Sequence, residues 1–188
     1  MRFKAILLAL TLLITLLAGC NQSNVPPVTT SPATTSAESP DTVTTASIVN
    51  TEAAFEKGIS NTGTWIIATL KDLTFTKDLV LDGEFKNGKK DDAGKDIIQR
   101  KIGLYTQDEN RKVTARFSLT APKLTINSLN GSIQHGTFKG DLYVTAKNFQ
   151  LVDCTVDGNV YFTNDEAKST FKMDAESKVT GKQELKTP

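Results

Sequence analysis

The sequence predicts an all-β domain: a single-stranded, right-handed parallel β-helix of about six short coils, opened by a short capping helix. Three observations predict it. Short β-branched or aromatic runs broken by Gly, Asn and Asp fall at 65–67, 73–81, 113–119, 124–126, 142–144 and 160–162. GDLYVTAKN from Gly140 and GNVYFTNDE from Gly158 share Gly, Asp or Asn, apolar, Tyr, apolar, Thr, eighteen residues apart. A wider apolar-any-Gly-polar pattern recurs in LDGEF at Leu81, FKGDL at Phe138, VDGNV at Val156 and VTGKQ at Val179. With Gly103 and Pro122 counted between Gly83 and Gly140, the breakers are spaced 20, 19, 18, 18 and 23 residues. An antiparallel β-sandwich also uses many short strands, but repeated identities at a fixed interval favour the helix.

The chain has 188 residues. Its first element is an address. Arg2 and Lys4 precede an apolar run from Ala5, thirteen residues long, which ends in Leu17-Ala18-Gly19-Cys20. Such a run is too short to span a bilayer as a permanent helix and reads as an export signal over 1–19. LAGC resembles the lipobox of bacterial lipoproteins. That resemblance implies a diacylglyceryl group on the Cys20 thiol, cleavage just before it, and an extracytoplasmic protein anchored in the cell membrane. Without the signal, twenty basic side chains face twenty-one acidic ones. This balance offers nothing to attract nucleic acid or anionic lipid, so the membrane is reached through the lipid.

Residues 20–47 form the expected tether. From Asn21 to Ser47 there are five Ser, seven Thr and four Pro, with Glu38 and Asp41 the sole charges. A stretch without aromatic residues or periodicity cannot build a core. Fully extended, it would reach up to about 80 Å. That reach suits a domain that must contact something, or one that only needs to clear the lipid surface.

The folded domain is expected over 48–182, with a tail at 183–188. Thr51 caps the helix TEAAFEKGI, whose Ala54, Phe55 and Ile59 share a side and whose Gly58 is read as its stop. Beyond Gly63 only strands are signalled. Alternation points Phe138, Leu142 and Val144 inward, beneath Val156, Val160 and Phe162, and matches Phe149 and Leu151 with Phe171 and Met173. The surplus of the last coil falls in 164–170, read as a polar outward loop. KNGKKDDAGKD, residues 86–96, mixes both signs and reads as an exposed hairpin or insertion, its lysines opposing Ca²⁺.

The recurring glycine unit resembles the repeat of bactofilins and related polymer-forming β-helix proteins over about the last fifty residues and at 81–85. That resemblance implies a structural, non-enzymatic role and assembly of the chain with itself. Open backbone at the terminal coils is the physical route. The helix near Thr51 covers one end, while Lys178, Lys182, Glu184 and Lys186 at the other read as edge protection.

Chemical groups are few. His135 has no second His or Cys at ligand spacing, so no metal site, cofactor or His-based triad is expected, and it reads as an exposed corner residue. Cys154 takes the place of Ser177 and Gly136 in the repeat and should be a buried, inert thiol. Asp141, Asp153, Asp157 and Asp165, with Arg111 or Arg116, are the groups a small polysaccharide lyase would need. Asp141 aligns with Asn159, and Asp157 with Lys139 and Thr180, as solvated corners do. No catalytic residue is offered. The candidate binding face is Tyr143, Thr145, Tyr161 and Thr163, stacked in adjacent coils about 4.8 Å apart. It suits the sugar rings of an envelope polysaccharide or another copy of the chain; equally, stacked tyrosines stabilise an outer face by themselves.

Overall fold

The computed structural model describes residues 46–186. The signal, Cys20 and nearly all of the tether lie outside the described residues. Within them the fold is mostly strands, and no helix there is long and apolar enough to cross a membrane.

The sheets form because apolar residues alternate and recur at matching positions. One sheet stacks Ala46–Val49, Ile66–Thr69, Arg100–Gly103, Gly131–Gln134, Gln150–Val152 and Lys172–Met173 in that order, every pair parallel. The second carries Leu73–Thr74 and Leu79–Leu81 on Ser118–Ile126, then Thr137–Val144. Thr155–Asp157 and Val160–Phe162 follow, and Lys178–Val179 and Gln183–Leu185 end it, again all parallel. From Ile66–Thr69 onward the chain therefore visits the two sheets alternately. Parallel pairing throughout excludes the antiparallel β-sandwich.

Register turns alternation into core columns. Phe138 pairs with Val156, Leu142 with Val160 and Val144 with Phe162. All six are buried, as the sequence leads one to expect. Leu151 pairs with Met173, and the Phe149 and Phe171 rings stack with centroids 6.0 Å apart. Each buried Leu, Val or Phe in these columns contributes about 1.5–3 kcal/mol.

The corners explain the glycines, with corrections. Gly140, Gly158 and Gly181 stack at one corner. Gly158 has φ +156, and a Cβ added there would lie 2.1 Å from the Gly140 carbonyl oxygen. Gly83 belongs elsewhere: it follows Leu81, which pairs with Ile126. Gly103 is no corner but the last residue of a strand. The near-20 spacings at Gly83 and Gly103 arise because hairpins are inserted there. Lys86–Lys90 pairs antiparallel with Asp96–Ile98, as the charged stretch suggests, and Tyr105–Gln107 pairs with Val113–Arg116. Residues 165–170, expected to be a loop, form the helix Asp165–Thr170, because the Asn164 side chain accepts from the Ala167 N–H at 2.8 Å. Strand Gln183–Leu185 carries the paired region three residues past the boundary read at 182.

The helix Glu52–Ile59 closes one end. Thr51 caps it, its Oγ1 accepting from the Ala54 N–H at 3.1 Å, and Phe55 and Ile59 are buried. Gly58 is not its stop; Ser60 is the C-cap, and Gly58 lets the helix approach Ile67, whose side chain a Cβ would meet at 3.2 Å. Arg100, fully buried, donates to the carbonyls of Gly58 at 2.7 Å, Ser60 at 3.3 Å and Asp82, and its guanidinium lies 4.1 Å from the Phe85 ring centre. The negative end of the helix dipole thus meets a cation. Burial lowers the pKa of Arg100 to about 10.

Candidate binding face

Tyr143 and Tyr161 stand opposite each other in neighbouring parallel strands, with ring centroids 4.9 Å apart and planes inclined by 47°. Their column begins at Val80, passes through Thr125 and ends at Glu184. Flanking residues on the strands are buried, so the phenol rings are what the surface offers.

Two lysines that the sequence reading did not place here complete the face, Lys123 and Lys186, the latter read from the sequence as edge protection. Lys186 Nζ lies 4.4 Å from the Tyr161 ring centre and donates to the Tyr143 hydroxyl at 3.1 Å. That phenol oxygen and the charges near it hold the Lys186 ammonium above its ordinary pKa. Lys123 Nζ is 5.6 Å from the Tyr143 ring centre and paired with Asp78 at 2.7 Å, which raises its pKa likewise. The rings are therefore cation-bearing, and a sugar stacking on Tyr161 must share the face with Lys186.

Thr145 and Thr163 lie beside the tyrosines with their hydroxyls turned to the preceding coil. Thr145 Oγ1 is 2.8 Å from both the Ile126 carbonyl and Asn127 Oδ1, and Thr163 Oγ1 donates to the Val144 carbonyl at 3.4 Å. Their protons are spent on the scaffold, leaving lone pairs as what they can present to a ligand.

The carboxylates are separated. Asp141 Oδ1 accepts from the Asn159 side-chain amide at 2.9 Å and the Asn159 N–H at 3.2 Å. Asp157 pairs in register with Lys139 and accepts from Thr180 Oγ1 at 3.1 Å. Asp165 lies in the first turn of its helix. Asp153 alone meets basic groups: its Oδ2 is 2.5 Å from Arg116 Nη2 and 3.0 Å from His135 Nδ1. The Arg116 guanidinium, then His135, hold its carboxyl below the ordinary range.

His135 is a corner residue with φ +61, but it is half-buried rather than exposed, its ring set edge-on against Tyr105 at 4.4 Å. Arg111 sits at a hairpin tip, away from this cluster. Cys154 is buried, and burial pushes its thiol up to about 12. Among the described residues no group of three or more His, Cys, Asp or Glu could hold a metal ion.

Part of this was findable. Gly181-Lys-Gln-Glu-Leu continues the repeat, which sets Glu184 over Tyr161 and brings Lys186 alongside. His135 and Asp153 are eighteen residues apart, one repeat interval, so stacking them needed only the register. Arg116 arrives on a hairpin outside the repeat, and no sequence signal locates it. No family model, curated protein sequence or solved structure matches this chain.

Proposed function

We propose that this chain is a lipid-anchored, extracytoplasmic, non-enzymatic structural and binding module of the bacterial cell envelope. Its folded part is a right-handed parallel β-helix, and its outer face engages an envelope polysaccharide. The LAGC tetrapeptide after a short apolar run supports the address, with Cys20 as the lipidated residue. The alternating visits of the chain to two parallel sheets support the β-helix.

The observation that carries the binding role is the Tyr143–Tyr161 ladder with Lys186 and Lys123 around it. Adjacent aromatic rings offer apolar surface to the C–H face of a sugar, and flanking ammonium groups suit hydroxyl or acidic substituents. The test retains purified envelope polysaccharide on the immobilised full chain. Tyr143→Ala with Tyr161→Ala should abolish retention, while Thr145→Ala and Thr163→Ala, whose protons are bonded to the preceding coil, should change it little. Retention unaffected by loss of both tyrosines refutes the face. Metabolic lipid labelling that survives Cys20→Ala refutes the anchor.

A lyase-like activity on acidic polysaccharide is the second reading, favoured by the meeting of Asp153 with Arg116 and His135. An Arg-bound carboxylate of lowered pKa is a poor base, so substrate would first have to draw Arg116 away. Absence of the ultraviolet absorbance of unsaturated product, with uronate polymers as substrate, removes this reading.

A further inference from the structure

The two ends of the stack are finished differently. At the N-terminal end Val49, Leu73 and Leu81 are 0%, 3% and 0% exposed, with Phe55 and Ile59 of the capping helix buried beside them. At the C-terminal end Met173 and Leu185 continue two core columns, in register with Leu151 and Phe162, yet are 41% and 40% exposed. Among the described residues no strand pairs with the outer edges of Lys172–Met173, Lys178–Val179 or Gln183–Leu185. Open, parallel edges of this kind are templates for another chain.

We propose that a second copy of this chain covers the C-terminal end, tail to tail about a two-fold axis, giving a closed dimer and no filament. Strand Gln183–Leu185 fixes the register. The Lys182 carbonyl accepts from the Val160 N–H at 2.8 Å, and the Lys186 N–H donates to the Phe162 carbonyl at 2.8 Å. Residues 182 and 186 thus turn their backbone groups inward. By the period of two, Gln183 and Leu185 turn theirs to the free edge.

A two-fold antiparallel pairing centred on a hydrogen-bonded pair needs a central residue whose N–H and C=O both face the mate. Leu185 satisfies this. Centred there, Leu185 lies against Leu185 of the mate and extends the core column. Glu184 then faces Lys186 of the mate, twice. Centring on Glu184 instead, as a non-hydrogen-bonded pair, would set two like charges directly opposite each other. The sequence Lys182-Gln-Glu-Leu-Lys186 is self-complementary at this edge, and the edge charges that read as protection serve here as pairing. Growth beyond two copies lacks a second open core: Ala46–Val49, Leu73–Thr74 and Leu79–Leu81 also have unpaired outer edges among the described residues, but the core behind them is covered by the helix Glu52–Ile59.

This inference rests on the stacked parallel fold proposed above, and not on the anchor or on glycan binding. The test is sedimentation velocity on the full chain with Cys20→Ser, so that lipid plays no part, over a wide concentration range. A monomer–dimer equilibrium is expected. Glu184→Lys and Lys186→Glu should each weaken it about tenfold or more, and the two together should restore it; unchanged circular dichroism shows that the fold persists. A monomer at every concentration overturns the proposal. So do higher oligomers, association indifferent to either swap, or a double swap that fails to restore the dimer. Lipid labelling and glycan retention are read separately, on chains that keep Lys186, so that a failure here and a failure of the tyrosine face are distinguishable.

Discussion

Replacing Gly158 by Ala should cost far more than replacing another glycine of positive φ, because the corner is crowded as well as twisted. Gly94, at φ +78 in the exposed hairpin, has nothing within 4 Å of an added Cβ, so Gly94→Ala meets backbone strain alone, about 1–2 kcal/mol. At Gly158, φ +156, the Cβ would lie 2.1 Å from the Gly140 oxygen and 2.7 Å from its carbonyl carbon. Backbone cannot rotate aside as a side chain can. Neighbouring strands must part, which strains the Asn159 O to Leu142 N bond of 2.8 Å and the Gly181 N to Gly158 O bond of 3.0 Å. Two weakened hydrogen bonds, about 1 kcal/mol each, and an overpacking cost of about 1–3 kcal/mol give a total near 3–5 kcal/mol. For a domain of this size that corresponds to a fall in Tm of roughly 10–15 °C, against about 3–6 °C for Gly94→Ala. Thermal unfolding followed by circular dichroism measures both. If the two variants melt within about 2 °C of each other, the close stacking of Gly140 on Gly158 is not what the repeated glycine is for.

Arg100→Met should destabilise by about 2 kcal/mol. The Gly58 and Ser60 carbonyls keep the Thr64 and Gly63 N–H groups as donors, so the main loss falls on Asp82, and denaturant unfolding reads it. Cys154 should resist a thiol reagent in the native protein at pH 8 and react once the chain unfolds, since its thiol is pushed up to about 12; fast native labelling contradicts the burial. Asp153 and Asp174 have folded pKa values below their unfolded ones. Their stabilisation is therefore present above the unfolded carboxylate range near pH ~4 and lost as pH falls through the folded values. Asp153→Asn, which removes the charge that Arg116 and His135 meet, should lower stability at pH 7 and converge with the parent in acid; a difference constant from pH 7 to 2 would refute this.

Legibility in the sequence followed insertion. From Phe138 to Phe162 the repeat runs uninterrupted, and facing, register and the tyrosine ladder all follow from an interval of eighteen residues. Upstream, hairpins after Leu81 and Gly103 lengthen the path, so Gly83 and Gly103 kept the spacing without sharing a corner. A parallel ladder constrains only paired residues, and an outward hairpin adds length without disturbing it. Arg100 was passed over because arginine is rarely buried without a partner. Its parity with Ile102, two residues on, was the available sign that it points inward. Asn130 and Asn148 were missed as well. They occupy left-handed corners with φ +51 and +60, and the Asn148 side chain donates to Asn130 Oδ1 at 2.9 Å, a rung that only the stacked register creates.

Stacking also limits what the outer surface can carry. Residues in one column sit about 4.8 Å apart, so like charges repel and unlike ones attract at every level. The columns obey this: Lys139 lies against Asp157, and Lys123 against Asp141, which is followed by Asn159. Tyr143 on Tyr161 is the aromatic solution to the same constraint, with Lys186 placed over the rings. Column order also decides what can follow Gln183–Leu185. Another copy stacked head to tail would set Glu184 against Val80, the first residue of the column, and leave its charge unpaired, whereas the two-fold antiparallel arrangement sets it against Lys186. The rule that orders charges along the stack therefore favours the orientation in which two stacks meet tail to tail, where Glu184 gains a partner, over a continuing parallel fibre, where it gains none.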